Sequence, residues 1–136
     1  MGGVYASSLY GIPLKTFLER KGIPSLKDRK IDDYVIYELL DRSRMVEDIE
    51  SGKNKIDNPK ETVDYYNALV KALNAEFGEK WGVYEISCEA DGTEYDGEII
   101  IEFAEDDLWE KKRTDFHNDT ILKGWEIEYI SWAEYN

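Results

Sequence analysis

The first half of the chain carries apolar residues at the spacings of three and four that are typical of amphipathic helices. Ile31, Val35 and Leu39 form one such row, and with the apolar residues beside them they predict a single helix over about residues 30–50. This segment is therefore expected to turn one face toward a core and the other toward water.

Proline and glycine mark two further helices. A short helix is predicted over residues 13–21, where a proline opens the segment and a glycine follows it. The clearest start signal lies further on, where Asn58 is predicted to cap a helix, Pro59 to occupy its first turn and Glu61 to complete a capping box. Apolar residues at helical spacing follow, and Gly78 is expected to end this helix.

The period changes to two after residue 80, which indicates strands. Residues 81–90 and 98–103 alternate on either side of a turn-rich segment, and they predict a β-hairpin. A short helix is predicted over residues 105–114, with acids in its first turn and bases in its last. A final strand is predicted over about residues 120–132.

This order of elements predicts an α+β fold: two to three N-terminal helices packed on one face of a small antiparallel sheet, which the C-terminal half provides as β-hairpin, helix and strand. Residues 1–11 are interpreted as a loose or strand-like lead-in. We expect one domain over residues 1–136, with a near-neutral helical half at about 1–78 and an acidic, β-rich half at about 79–136.

Charge divides the chain in the same way. The formal net charge is −13. Residues 1–75 hold 12 basic and 12 acidic side chains, whereas residues 76–136 hold 5 basic and 18 acidic ones. Because phosphates require cationic neutralisation, this charge argues against nucleic acid or an anionic membrane as a direct ligand. It favours a cationic partner, most simply a protein that itself binds nucleic acid.

The strand pattern suggests where that charge lies. If the apolar face of each predicted strand turns toward the helices, the opposite face carries Glu85, Glu89, Glu98, Glu102, Glu126 and Glu128. Asp91, Glu94 and Asp96 add charge at the hairpin tip, and Asp106 and Asp107 add charge at the start of the next helix. Like charges on adjacent strands cost stability, so we expect these residues to serve partner binding.

We therefore expect a small acidic, non-catalytic inhibitor that covers the nucleic-acid-binding site of a basic protein, such as a nuclease. Phage anti-CRISPR and anti-restriction factors, and immunity proteins against nuclease toxins, act in this way as nucleic-acid mimics. No cofactor is expected. The single cysteine, Cys88, and the absence of a signal peptide or long apolar run favour the cytoplasm. The oligomeric state stays open.

Two alternatives remain beside this interpretation. His117 is the only histidine, and with Asp115 and Asp119 it would be the centre of a carboxylate-based metal site or enzyme. A single histidine does not provide the ligands of an ordinary zinc site, and neither a glycine-rich phosphate loop nor a nucleophile elbow is present. The acidity would otherwise serve only solubility or self-association.

Overall fold

The computed structural model describes residues 4–86, 93–95, 97–103 and 124–135. The fold is α+β, as the sequence predicts. Its strands are β1 (Val4–Pro13), β2 (Gly82–Glu85), β3 (Ile99–Phe103) and β4 (Glu128–Tyr135), and its helices are α1 (Leu14–Lys21), α2 (Asp33–Asp41), α3 (Met45–Glu50) and α4 (Pro59–Phe77). The predicted helix over residues 105–114 lies outside the described residues.

Helices α1 and α4 confirm two of the predictions. Gly22 follows α1 in the left-handed region, with φ of 68°, where a residue without a Cβ is favoured. Pro59 occupies the first turn of α4, and the helix ends before Gly78. Asn58 occupies the predicted N-cap position, but its backbone is left-handed and its side chain makes no capping hydrogen bond.

The single helix predicted over residues 30–50 is wrong, because the chain forms α2 and α3 instead. Asp32 caps α2, accepting hydrogen bonds from the backbone N–H groups of Tyr34 and Val35. After α2 the backbone of Arg42 leaves the helical region, with φ of −134° and ψ of 87°. The polar side chains of residues 41–44 are exposed, so the core offers this turn nothing to pack against.

The sheet is antiparallel, with strand order β2-β3-β1-β4. The predicted β-hairpin is confirmed as the pair β2 and β3. The expectation that the C-terminal half supplies the whole sheet is wrong, since β1 comes from the start of the chain and lies between β3 and β4. The described part of the predicted lead-in, from Val4 onward, is thus an inner strand of the sheet.

Apolar side chains are buried on both faces of this sheet. We call the face that carries Ile12, Ile101 and Phe103 the helix-side face, because these residues join the core formed by the four helices. Aromatic rings pack against one another in this core. The ring centroid of Phe77 lies 5.0 Å from that of Phe103 and 5.4 Å from that of Trp125. We call the other face the far face. It carries a second buried cluster: Leu9, Ile86, Ile100, Ile130 and Trp132.

Membrane insertion of a helix finds no support in the described ranges. The longest helix there is α4, and none of the helices is both long and apolar enough to cross a bilayer.

Candidate partner-binding surface

Part of the predicted acidic set can be placed in the structure. Its described members are Glu85, Glu94, Glu98, Glu102, Glu126 and Glu128. The remaining members, Glu89, Asp91, Asp96, Asp106 and Asp107, lie outside the described residues.

The far face holds three of these glutamates at one end of its apolar cluster. Glu102 on β3 and Glu128 on β4 both pair with Gly11 of β1, so they flank this glycine on the same face. By strand alternation Glu98 lies on that face as well, two residues before Ile100. Buried apolar side chains occupy the centre of this face, so the glutamates lie at one end of it and not across it.

Glu85 lies on the opposite face from those three. Val83, its alternate neighbour on β2, packs against the helical core, so the prediction that Glu85 shares a face with Glu102 is wrong. Its side chain is half-buried near Tyr37 of α2, and the burial of Tyr37 itself raises the pKa of that hydroxyl. β2 carries apolar residues on both of its faces, so packing against the rest of the fold decides which face turns toward the helices.

Glu126 and Glu94 are the most accessible of the described acidic set. Glu126 stands two residues before β4 and is exposed, next to the buried Trp125. Glu94 is exposed in the turn between β2 and β3. Both side chains are therefore open to solvent.

The three far-face glutamates differ in the side chains that their carboxylates contact. Glu98 forms an ion pair of 2.9 Å with Lys15 on α1. Glu128 accepts a hydrogen bond of 2.7 Å from the hydroxyl of Tyr95, and this bond together with burial raises the pKa of Tyr95 strongly. Glu102 has neither kind of partner within the described ranges, and burial raises the pKa of its carboxyl group.

Helix α1 supplies the cations that reach the acidic half. Besides the contact of Lys15 with the acidic half, the Lys21 ammonium lies 3.0 Å from Glu76, which belongs to α4 in the helical half. The Arg20 guanidinium stacks 4.1 Å above the ring of Trp125 and donates to the carbonyl of Gly124. No comparable cation meets Glu85, Glu94, Glu102, Glu126 or Glu128 in the part of the chain that the structure describes.

A groove that the sequence does not reveal opens beside Glu98. It has a volume of about 530 Å³ and is lined by α1, by the loop after α1, by the start of α2 and by the residues that lead into β3. The loop contributes Ile23 and Pro24. Its walls come from segments some 70 residues apart, so periodicity within one segment gives no signal for it.

Among the described residues there is no group of three or more His, Cys, Asp and Glu side chains that could hold a metal ion. The proposed centre at His117, with Asp115 and Asp119, lies outside the described residues.

Comparison with known proteins gives no relative: no family model, no curated protein and no solved structure matches this chain.

Proposed function

We propose that this protein is a small acidic binding protein that covers the cationic, nucleic-acid-binding site of a partner protein and so inhibits it. One observation carries the proposal: the acidic half presents carboxylates that form no ion pair with another described residue, among them the exposed Glu94 and Glu126. Unpaired acids kept at a surface cost stability through mutual repulsion, which a cationic partner would relieve.

The mechanism is electrostatic occlusion. The excess of carboxylates steers a basic groove toward the acidic half and raises the rate of association. Once bound, the carboxylates take the places of phosphate oxygens against lysine and arginine side chains, so nucleic acid competes for the same site. Cytoplasmic anti-CRISPR and anti-restriction factors and immunity proteins against nucleases are roles of this kind.

Capture of partners from the cytoplasm of the source cell or its host tests the proposal. The immobilised protein is loaded with extract at low salt, and bound proteins are eluted with rising salt and identified by mass spectrometry. We expect a nucleic-acid-binding protein that elutes as salt rises and that added DNA or RNA displaces. Capture of further copies of this chain alone, or of proteins that nucleic acid does not displace, would overturn the proposal.

A pair of matched variants connects the result to the acidic half. Glu94→Gln with Glu126→Gln removes two exposed charges there, and we expect the partner to elute at lower salt than from the wild type. Glu50→Gln with Asp64→Asn removes two exposed charges from the helical half and should leave the elution unchanged. Equal shifts for both pairs would show that only net charge matters and would contradict a localised surface.

A further inference from the structure

The groove beside Glu98 has an apolar floor and a charged rim. Leu14, Leu18, Leu26 and Ile99 form the floor, and the half-exposed Ile23 extends it toward solvent. A volume of about 530 Å³ exceeds that of a single side chain and falls within the range of ordinary ligand sites.

The loop that forms one wall is already held in place. The hydroxyl of Tyr65, on α4, donates a hydrogen bond of 2.6 Å to the carbonyl of Pro24. The backbone N–H of Asp28 donates to the hydroxyl oxygen of Ser25, and that of Ile31 donates to the carbonyl of Leu26. A ligand therefore meets a pre-formed wall, which lowers the entropic cost of binding.

The rim is acidic. Lys15 is engaged by Glu98, and its ammonium also lies 6.0 Å from the ring centroid of Tyr95. The other charged residues of the rim are three acids, Glu19, Asp28 and Asp33, and one base, Lys27. All four are exposed, and none forms an ion pair with another described residue. The groove therefore repels anionic ligands and favours a cationic one.

We infer that this groove seats the apolar side chains of a basic, amphipathic segment of the partner, whose lysines or arginines pair with the acidic rim. Helical segments commonly dock in this way, with apolar anchors in a groove and charges around it. The inference rests on the proposed function and extends it, because it adds a contact in the near-neutral half to the surface of the acidic half.

Three fluorescein-labelled peptides of about 14 residues test the inference by fluorescence anisotropy, since that length spans the anchors of one amphipathic helix. The first alternates leucine and lysine at helical spacing. The second replaces each leucine with serine, and the third replaces each lysine with glutamine. We expect the leucine–lysine peptide to bind at least about 10-fold more tightly than either of the others.

Two variants locate the binding. Ile23→Lys places a charge in the groove and should weaken binding of the leucine–lysine peptide at least about 10-fold. Ile56→Lys is the matched control, because Ile56 is also a half-exposed loop residue packed against the core but lines a different, more polar hollow. The Ile56→Lys variant should weaken binding of the leucine–lysine peptide only through its added positive charge. The serine–lysine peptide measures the size of that charge effect, so the two peptides should lose affinity equally. Circular dichroism melts show whether both variants remain folded.

The outcomes separate the two proposals. Equal affinities for the leucine–lysine and serine–lysine peptides, or equal losses in the two variants, would overturn the groove inference and leave electrostatic binding intact. Equal affinity for the leucine–glutamine peptide would overturn the basic character of the segment. If neither lysine peptide binds at low salt, the proposed function itself fails.

Discussion

The ring of Tyr84 lies 5.5 Å from the ring of Trp132, measured between centroids, although these residues belong to the two outer strands of the sheet. Two strands lie between β2 and β4, and in a flat sheet the outer strands would be roughly 14 Å apart at a spacing near 4.8 Å. The two side chains meet because the sheet curls, which makes the far face concave. Glu102, Glu128 and the apolar cluster share this hollow.

Gly11 lies on the inner strand β1 between Glu102 and Glu128, and we expect Gly11→Ala to be strongly destabilising. A Cβ at this position would lie 2.5 Å from Cγ2 of Ile100 and 2.5 Å from the carbonyl oxygen of Ile101. Since one of these atoms is backbone, the sheet itself must shift, and a loss of about 1–3 kcal/mol in the free energy of unfolding is expected. Urea denaturation measures it.

Gly82→Ala is the matched control for that prediction. Gly82 is also a strand glycine, but a Cβ there would meet no atom within 4 Å. Its effect should stay within about 0.5 kcal/mol. Similar losses for the two variants would contradict the special role of Gly11.

The two buried indoles should respond differently to replacement by phenylalanine. Nε1 of Trp125 donates a hydrogen bond of 2.6 Å to Glu76, whereas the buried Nε1 of Trp132 meets no acceptor in the described part of the chain. Both substitutions remove the same atoms, but Trp125→Phe also removes a bond to a charged group. We expect Trp125→Phe to cost about 1–2 kcal/mol more than Trp132→Phe. Equal losses in urea denaturation would show that ring volume alone decides.

Glu102 should make stability fall as the pH rises. Burial raises the pKa of this carboxyl group in the folded state, so the folded protein holds the proton more tightly than the unfolded chain does. Stability therefore decreases as the pH rises from the unfolded pKa, near 4.5, through the folded pKa. Glu102→Gln should be more stable than the wild type at neutral pH, and the difference should vanish under acidic conditions. A lower stability of Glu102→Gln at neutral pH would contradict this account.

Glu76 should show the opposite sign. The hydrogen bond from Trp125 and the contact with Lys21 lower the pKa of its carboxyl group in the folded state. Its contribution is therefore fully present above the ordinary pKa of about 4.5 and is lost as the pH falls through the folded pKa. Glu76→Gln should cost about 1–2 kcal/mol at neutral pH, since it weakens hydrogen bonds to a charged acceptor, and less in acid. Urea titrations over an acid-to-neutral series measure both profiles.

Local signals in the sequence were sufficient for several elements. Pro59 and Gly78 bound α4 as predicted, because a helix start and stop depend on residues within one turn. The helix break near Arg42 and the central position of β1 could not be read in this way. The break falls at exposed polar residues, 41–44, that include neither proline nor glycine. The position of β1 depends on pairing with strands about 90 and 120 residues later.

The acidic surface was predictable in content but not in arrangement. Ile99, Ile100 and Ile101 form an unbroken apolar run, which is typical of a strand buried on both faces, and the far-face cluster agrees with that pattern. The assignment of the outward face to the glutamates did not take the burial of this run into account. The face of the sheet on which Glu85 lies could not be predicted, because β2 has an apolar residue on each face, Val83 on one and Tyr84 on the other.

The position of β1 also affects how the chain reaches its fold. β1 is synthesised before its neighbours β3 and β4, and it must wait for about 90 further residues before its first partner strand exists. Contacts this distant along a chain slow folding, since a long loop must close before they form. The sheet should therefore assemble only after most of the protein has left the ribosome. Dividing the chain between the helical and acidic halves for separate expression would also leave each half with only part of one sheet.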